Sequence, residues 1–414
     1  MAAINKIIKK FFHNKNFNPI YKFISKFSYI FIPILLFVGI FLIYKNIYPN
    51  PRNWYDHYLY LTKSFIQGRV DIPDLPSFYH DKLEFNGKTY IPFPPGASLL
   101  LIPFVLISES ITQQQVSIII GSFNVLLIYT LLLKFASKKN SLFLSLFFGL
   151  GTSFFWATTV GTTWFFAHVV AIFFITISLI LHFNKKHFLS GIFFALAALT
   201  RMPMVLTGIF YLLQLYKQKK ELILFLSGAF IFIPSLLFYD WARFGNFLKT
   251  GYNEVYLQYA NSDYPYTIRQ IINPNSSLFG YFDIKNIPMH LYTFLFMPPD
   301  VKTVEGIIKE IKPSPYGMGI LFTSPLLFLA LKPKFKKGLE FNLIITALIC
   351  AVPSFLHIMQ GWVQFGYRFV LDYVVLLMII LALRFKPTKL NLILILISVI
   401  VNFWGVTWAI KLGW

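Results

Sequence analysis

Long apolar runs separated by short polar connections form the main pattern of this 414-residue chain. Residues 29–43, 116–133, 163–181 and 390–406 are nearly free of charge, and each approaches the roughly 20 apolar residues that a helix needs to cross a bilayer. Helical periodicity and length together predict about eleven spanning helices in one polytopic domain, that is, an all-α integral membrane protein. The predicted spans are 28–47, 115–134, 141–158, 163–182, 188–200, 203–216, 222–241, 316–331, 341–358, 367–384 and 390–410.

Two long connections, residues 48–114 and 242–315, interrupt this pattern. Connections of this length in a compact protein are usually functional or form small structured units of their own. The first begins with apolar residues at helical spacing over residues 55–66, with Gly68 as the stop signal. The apolar stretch 97–107 is short for a span, so we predict an interfacial helix there.

A hairpin signal lies between those two helices. Asn86-Gly87 between alternating residues is typical of a tight β-turn, and it predicts that Asp81 and Glu84 lie on the first strand. In the second loop, tyrosines at helical spacing predict an aromatic belt at the membrane interface, with sugar stacking as the alternative. These residues are Tyr252, Tyr256 and Tyr259.

Composition agrees with a membrane protein, since 57% of the residues are hydrophobic and the mean hydropathy is +0.64. The net charge of +21 would suit a nucleic-acid partner, but its distribution argues against one. Alternate connections hold 21 of the 37 basic residues and only Glu221 and Glu340 of the acidic ones. This is the asymmetry of cytoplasmic loops, so the N-terminus is predicted to be cytoplasmic and both long loops external.

The topology depends on the short fifth and sixth predicted spans, 188–200 and 203–216. We interpret them as a hairpin whose outward tip is Thr200-Arg201-Met202-Pro203. If they were one interrupted helix, every later element would change sides and the lysine clusters would lie outside the cell.

Several short motifs, in order along most of the chain, resemble the polytopic C-fold glycosyltransferases (the GT-C superfamily), especially bacterial relatives of protein O-mannosyltransferases. The motifs are Tyr55-Asp56-His57-Tyr58 with Gly68-Arg69, His80-Asp81 through Asn86-Gly87-Lys88-Thr89-Tyr90 to Pro92-Phe93-Pro94-Pro95-Gly96, Gly161-Thr162-Thr163-Trp164-Phe165-Phe166-Ala167-His168, Ala198-Leu199-Thr200-Arg201-Met202-Pro203, Trp241-Ala242-Arg243-Phe244-Gly245, Tyr316-Gly317-Met318-Gly319 and Gly366-Tyr367-Arg368-Phe369. The resemblance implies an inverting transferase that uses a polyprenyl-phosphate-linked sugar and carries a catalytic acid in its first external loop.

The chemistry of such a reaction is consistent with that implication. A lipid-phosphate donor keeps its tail in the bilayer, so no nucleotide-binding fold is needed, and the sequence has no Gly-rich loop of the dinucleotide or P-loop kind. Transfer to a hydroxyl needs a carboxylate as general base, for which the resemblance points to Asp56. The departing phosphate needs cations, and the planar fork of arginine suits that task.

Four residues of the first loop are candidates, each with a structural alternative. Asp56 is the predicted base, or else an interfacial helix cap or a partner for Arg52. His57 either contacts substrate and tunes Asp56 or makes a structural hydrogen bond. Asp81 is either a second functional acid or a strand-end ion pair with a neighbouring lysine, and Glu84 either contacts substrate or is solvated.

Four further candidates lie at predicted outer helix ends or within a helix. Arg201, Arg243 and Arg368 are predicted to bind the donor phosphate, with snorkelling to the interface as the alternative for the first two. For Arg368 the alternative is a pair with Asp372 four residues on. His168 is either an additional donor or a satisfied core histidine.

The predicted function is therefore sugar transfer from a polyprenyl-phosphate donor to a glycan, lipid or protein acceptor at the external face of the cell membrane. No metal motif is visible, although Asp56 and Asp81 together could hold a divalent ion. The alternatives are a lipid or sugar-lipid transporter, or a non-catalytic scaffold of the same fold. A transporter usually has internal repeats and interrupted helices, and no repeat is visible.

The charge asymmetry makes a testable prediction about topology. A reporter fused after Lys220 or Lys337 should be cytoplasmic, whereas one inserted near Asn261 should be external. A cytoplasmic reporter at Asn261 would place the candidate site on the wrong face of the membrane.

Overall fold

The computed structural model is mostly helical, 67% of it, with few strands, which fits the predicted all-α membrane protein. It describes residues 18–52, 54–255, 282–332 and 338–414, with side chains from Phe31 onward. The predictions for the basic arm before residue 18, for Tyr256 and Tyr259, and for Lys334 to Lys337 lie outside the described residues.

The helices up to the 3₁₀ turn Met202–Thr207 are α1 (Asn18–Ile47), α2 (His57–Ile66), α3 (Gly96–Ile107), α4 (Gln113–Leu132), α5 (Lys138–Leu150), α6 (Phe154–Val160), α7 (Thr163–Phe183) and α8 (His187–Thr200). Those after it are α9 (Gly208–Leu215), α10 (Lys219–Ala229), α11 (Phe232–Phe244), α12 (Ile287–Leu295), α13 (Ile320–Thr323), α14 (Phe328–Leu331), α15 (Leu339–Leu356), α16 (Val374–Arg384) and α17 (Lys389–Lys411). Further 3₁₀ turns lie at Ile284–Asn286, Pro325–Leu327 and Arg368–Asp372.

The predicted number of spans, about eleven, is wrong for the described part of the chain. Five helices there are long and apolar enough to cross a membrane, and α5 with α6 makes a sixth if that pair is one span bent by 54°. The five are α4, α7, α10 with α11, α15 and α17. The predicted spans 188–200, 203–216 and 367–384 fall on apolar helices of only 10–17 residues, so their composition was right and their length was not. The predicted span 28–47 lies within α1, which has 30 residues.

The predicted span 316–331 shows how a span is lost. Here α13 and α14 have four residues each and are separated by the 3₁₀ turn at Pro325. The residue before a proline is driven out of the α conformation. Ser324 accordingly has φ −151°, and the helix ends there.

The bundle has two ends with different chemistry. At the lysine end, Lys134 donates to Asn184 Oδ1 at 2.6 Å, and Asn342 donates to the Leu213 carbonyl at 3.3 Å. At the opposite end, which we call the loop end, Arg201 binds Asp372. The Phe194 ring of α8 and the Tyr211 ring of α9 lie 5.8 Å apart, and the Ser178 hydroxyl of α7 contacts both Ser190 and Tyr211. The chain therefore turns back between α8 and α9, as the predicted hairpin requires, and the outward direction of its tip stays a prediction.

The first loop contains the predicted hairpin, formed by β1 (Leu83–Phe85) and β2 (Lys88–Tyr90). Asn86 and Gly87 have φ of 49° and 71°, as a type I′ turn requires. Glu84 lies on β1 as predicted, but Asp81 precedes the strand. A second hairpin, β3 (Asp300–Val304) with β4 (Ile307–Lys312), forms in the second loop, where no hairpin was predicted.

Two glycines let α8 and α10 cross closely. A Cβ on Gly191 would lie 2.1 Å from the Phe225 carbonyl oxygen, and one on Gly228 would lie 2.1 Å from the Phe188 carbonyl oxygen. Small residues at such crossings allow membrane helices to approach at backbone distance.

This crossing makes a prediction about stability. Gly191→Ala should lower the melting temperature in detergent, because the helices must separate, at a cost of about 1–3 kcal/mol. Gly39→Ala is the matched control, since nothing lies within 4 Å of its added Cβ, and it should be neutral or slightly stabilising. Equal melting temperatures for the two variants would contradict the close crossing.

Candidate active site

The first turn of α7 holds the first loop in place. The backbone N–H of Thr163 donates to the Tyr55 carbonyl at 3.0 Å, and the Thr163 hydroxyl donates to the same oxygen. The backbone N–H of His57 donates to Thr163 Oγ1 at 3.1 Å. A helix begins with N–H groups that lack intrahelical partners, so the loop satisfies one of them. Asp56 is thereby fixed from both sides.

His57 joins two parts of the loop. Its Nε2 lies 2.7 Å from the His80 carbonyl and must donate to it, while its Nδ1 lies 2.9 Å from Thr163 Oγ1. Burial lowers the pKa of His57. Since protein groups occupy both ring nitrogens, the geometry favours the structural alternative for this residue.

The side chain of Asp81 binds an indole, and its backbone has a strained conformation. Trp164 Nε1–H donates to Asp81 Oδ2 at 2.6 Å. Asp81 has φ 54° and Tyr55 has φ 61°, a left-handed conformation that costs non-glycine residues of the order of 1–3 kcal/mol. The Asp81 carboxylate is close enough to His57 and Arg368 to favour their charged forms.

Asp56 immediately precedes α2. Its backbone N–H donates to the Tyr79 hydroxyl at 3.1 Å, and its carbonyl accepts from the Leu59 N–H at 2.9 Å. The Asp56 side chain makes no capping hydrogen bond to α2. It does not pair with Arg52 either, since Arg52 donates to the Gly413 carbonyl. Within the described ranges the Asp56 carboxylate accepts no hydrogen bond, and only 6% of the residue is exposed. Burial raises its pKa to about 7, with a small opposing effect from Lys63.

Arg201 binds Asp372 rather than standing free. Its Nε and Nη2 lie 2.7 and 2.9 Å from the two carboxylate oxygens. His168 Nδ1 lies 3.1 Å from Asp372 Oδ1, although too obliquely for a hydrogen bond. His168 is fully buried, so it supports Asp372 and is not exposed to a ligand.

Arg368 is consequently left without the partner that its sequence spacing suggested. Residues 368–372 form a 3₁₀ turn, in which side chains three apart, not four apart, lie above each other. The guanidinium lies 5.5 Å from the ring centre of Phe165 and 5.1 Å from that of Phe369. No described side chain pairs with it. Burial and the nearby Arg201 lower its pKa to about 10.

Two other candidates have structural roles. Arg243 is buried against Tyr239, contacts the Asp240 carboxylate and donates to the Ile91 carbonyl at 2.8 Å. Glu84 accepts from the Thr89 hydroxyl across the hairpin at 2.9 Å.

The structure adds residues that were not singled out from the sequence. Thr163, Trp164 and Tyr79 position the acids, and Asp240 neutralises Arg243. Thr163 and Trp164 do lie within a motif that carries the resemblance, but nothing in that motif shows which side chain meets the first loop. Among the described residues no three His, Cys, Asp or Glu side chains are grouped to hold a metal ion.

No protein-family model matches this sequence, and no curated protein matches it. The resemblance to C-fold glycosyltransferases therefore depends on the motifs alone, and the activity is a proposal.

The pKa of Asp56 predicts how stability changes with pH. Folded Asp56 keeps its proton up to about pH 7, whereas the unfolded chain loses it near pH 4. The contribution of this group to stability therefore falls as the pH rises from about 4 to 7, and then stays low. Asp56→Asn cannot ionise, so it should be more stable than the native protein at pH 8, by at most about 4 kcal/mol.

Melting temperatures in detergent between pH 4 and 8 check this expectation. The advantage of Asp56→Asn should vanish near pH 4. Asp74→Asn, which changes an exposed carboxylate of the same loop, should show no such trend. A difference that is independent of pH would contradict the assigned pKa.

Proposed function

We propose that this protein is a membrane glycosyltransferase. It transfers a sugar from a polyprenyl-phosphate donor to an acceptor hydroxyl, with inversion, at the external face of the cell membrane. The observation that carries the proposal is that, of the two arginines near Asp372 at the loop end, only Arg201 forms an ion pair with it. Two guanidinium groups lie near the buried Asp372 carboxylate, and Arg201 binds it by two hydrogen bonds. Among the described residues, no carboxylate forms an ion pair with Arg368, although Asp81 lies within electrostatic reach.

A phosphate suits the position of Arg368. The rings of Phe165 and Phe369 lie near its guanidinium and provide no hydrogen-bond acceptor. Its five N–H donors are arranged to bind two phosphate oxygens at once. In a partly desolvated setting this interaction is stronger than in water, and it stabilises the negative charge that develops as the phosphate departs.

Asp56 suits the role of general base. A base works best when its pKa is near the operating pH, and burial brings Asp56 to about 7. In the proposed step the Asp56 carboxylate takes the proton of the acceptor hydroxyl. The acceptor oxygen bonds to the anomeric carbon as the carbon–oxygen bond to phosphate breaks, and polyprenyl phosphate leaves with the bonding electrons. A single displacement inverts the anomeric centre.

Both groups are attached to the same structural support. Tyr55 and His57, on either side of Asp56, bind Thr163, while Arg368 lies over Phe165 two residues further along α7. The base and the phosphate-binding cation therefore share the first turn of one helix, which supports their action on one substrate.

Donor consumption by the purified protein in lipid nanodiscs tests the proposal. A polyprenyl-phosphate hexose should yield polyprenyl phosphate. Asp56→Asn should lower the rate by roughly 10²-fold or more, because it removes the base but keeps the side-chain volume. Arg368→Lys should also be impaired despite its retained charge, because a planar fork becomes a point charge. The matched control Asp74→Asn should leave turnover unchanged.

Two results would count against these assignments. A folded Asp56→Asn that transfers sugar at the native rate would exclude Asp56 as the base and make Asp81 the next residue to test. An absence of turnover with every lipid-phosphate sugar would reject the enzyme class and favour the scaffold interpretation.

A transporter is the second candidate, and the bend between α5 and α6 favours it. The helix breaks at residues 151–153 with an angle of 54°, and transporters often bind substrate at interrupted helices. The two acids of the first loop nevertheless lie against the start of α7, where Asp81 binds Trp164 and the neighbours of Asp56 bind Thr163. Movement of the intact lipid-linked sugar across sealed vesicles, without its consumption, would support the transporter.

A further inference from the structure

A cluster of aromatic rings lies beside Asp81. The ring of Tyr55 is at its centre, with centroid distances of 5.0 Å to Trp164, 5.7 Å to His80 and 6.4 Å to Phe78. We call these four residues the ring cluster. Tyr79 and His57 contact Tyr55 from the buried side.

The ring cluster is open on one side. Phe78 is 60% exposed, His80 is exposed, and Tyr55 and Trp164 are half-buried. Its members are held in place and do not merely lie together on a surface. Thr163 fixes the backbone of Tyr55, His57 fixes the carbonyl of His80, and Asp81 fixes the indole of Trp164.

An interfacial aromatic belt does not explain this arrangement. In a belt, tryptophan lies at headgroup level with its polar edge toward water. Here the only polar atom of the Trp164 side chain donates to a carboxylate of the same protein. Two residues with strained left-handed backbone, Tyr55 and Asp81, are also maintained there, and such strain is concentrated at ligand sites.

We infer that the ring cluster binds a pyranose ring of the acceptor, and that the acceptor is therefore a glycan. This inference rests on the proposed transferase function for its biological meaning. The carbon–hydrogen faces of a pyranose carry partial positive charge and fit the negative faces of aromatic rings. Its hydroxyl groups need hydrogen-bond partners at the rim of the cluster, and the Asp81 carboxylate, which accepts from the Trp164 indole, lies there.

The position of the cluster connects it to the proposed reaction. Tyr55 is the residue before Asp56, so a sugar on the ring cluster would be held beside the proposed base. An extended peptide has no such ring face to stack, and a lipid hydroxyl needs no exposed platform outside the bilayer. The cluster thus selects the acceptor, while Arg368 holds the donor.

Ligand-observed saturation-transfer NMR on the full chain in nanodiscs tests the inference without requiring turnover. The probes are mannotriose, chitotriose and maltotriose, with a neutral Gly-Ser-Gly tripeptide for comparison. At least one trisaccharide should bind and the tripeptide should not. Phe78→Ala should bind that trisaccharide about 2- to 12-fold more weakly, because one stacked ring is lost. Phe78→Tyr should restore binding.

Phe247→Ala is the matched control, since Phe247 is also an exposed phenylalanine, 52% exposed, after α11 and outside the ring cluster. It should bind like the native protein. The inference is overturned if no trisaccharide binds, if Phe78→Ala binds as well as the native protein, or if Phe247→Ala is weakened equally.

The outcomes also separate this inference from the proposed function. Trisaccharide binding that depends on Phe78, in a protein that consumes no lipid-phosphate sugar, would support the saccharide site and reject the transferase. Donor consumption with a peptide as acceptor, and no saccharide binding, would reject the saccharide site and support the transferase.

Discussion

The contact between the first loop and the first turn of α7 is the constraint on which the candidate site depends. One hydroxyl, that of Thr163, meets both the Tyr55 carbonyl and the backbone N–H of His57. His57 then reaches the carbonyl of His80. Two segments more than twenty residues apart in sequence are thereby joined at the start of a membrane helix. The strained backbone at Tyr55 and Asp81 persists because several surrounding contacts fix each of these two residues.

Charge pairing at the loop end follows from the cost of burying ions. Asp372 is buried and would be unfavourable without a cation, and Arg201 satisfies it with two hydrogen bonds. Arg368 arrives on a 3₁₀ turn that directs it away from Asp372, toward aromatic rings. Ring faces stabilise a guanidinium less than a carboxylate does. Among the described residues, Arg368 therefore has no carboxylate partner like the one that Arg201 has, and the proposed donor phosphate would supply that anion.

The sequence predicted local features better than contacts. Asn86-Gly87 predicted its hairpin because the turn conformation is local, and Gly68 ended α2 for the same reason. The number of spans was wrong because apolar composition does not show where a residue such as Pro325 breaks a helix. The pair with Asp372, given as the alternative for Arg368, is wrong, because Arg201, which is distant in sequence, binds that carboxylate. No pattern along the chain indicates that Thr163 and Trp164 meet residues of the first loop.

Asp56 and Asp81 of the first loop are the same residue type but have different surroundings, and these surroundings give them different properties. One carboxylate oxygen of Asp81 accepts a hydrogen bond from the Trp164 indole. The negative charge of Asp81 also attracts His57 and Arg368, so it contributes to the geometry of the site. Asp56 is buried with no bond to its carboxylate from the described residues, and burial raises its pKa to about 7. Only such an unpaired carboxylate can both lose and take up a proton near neutral pH without disturbing its supports. In the proposed reaction the first loop would use the Asp81 carboxylate to fix the geometry and the Asp56 carboxylate as the base.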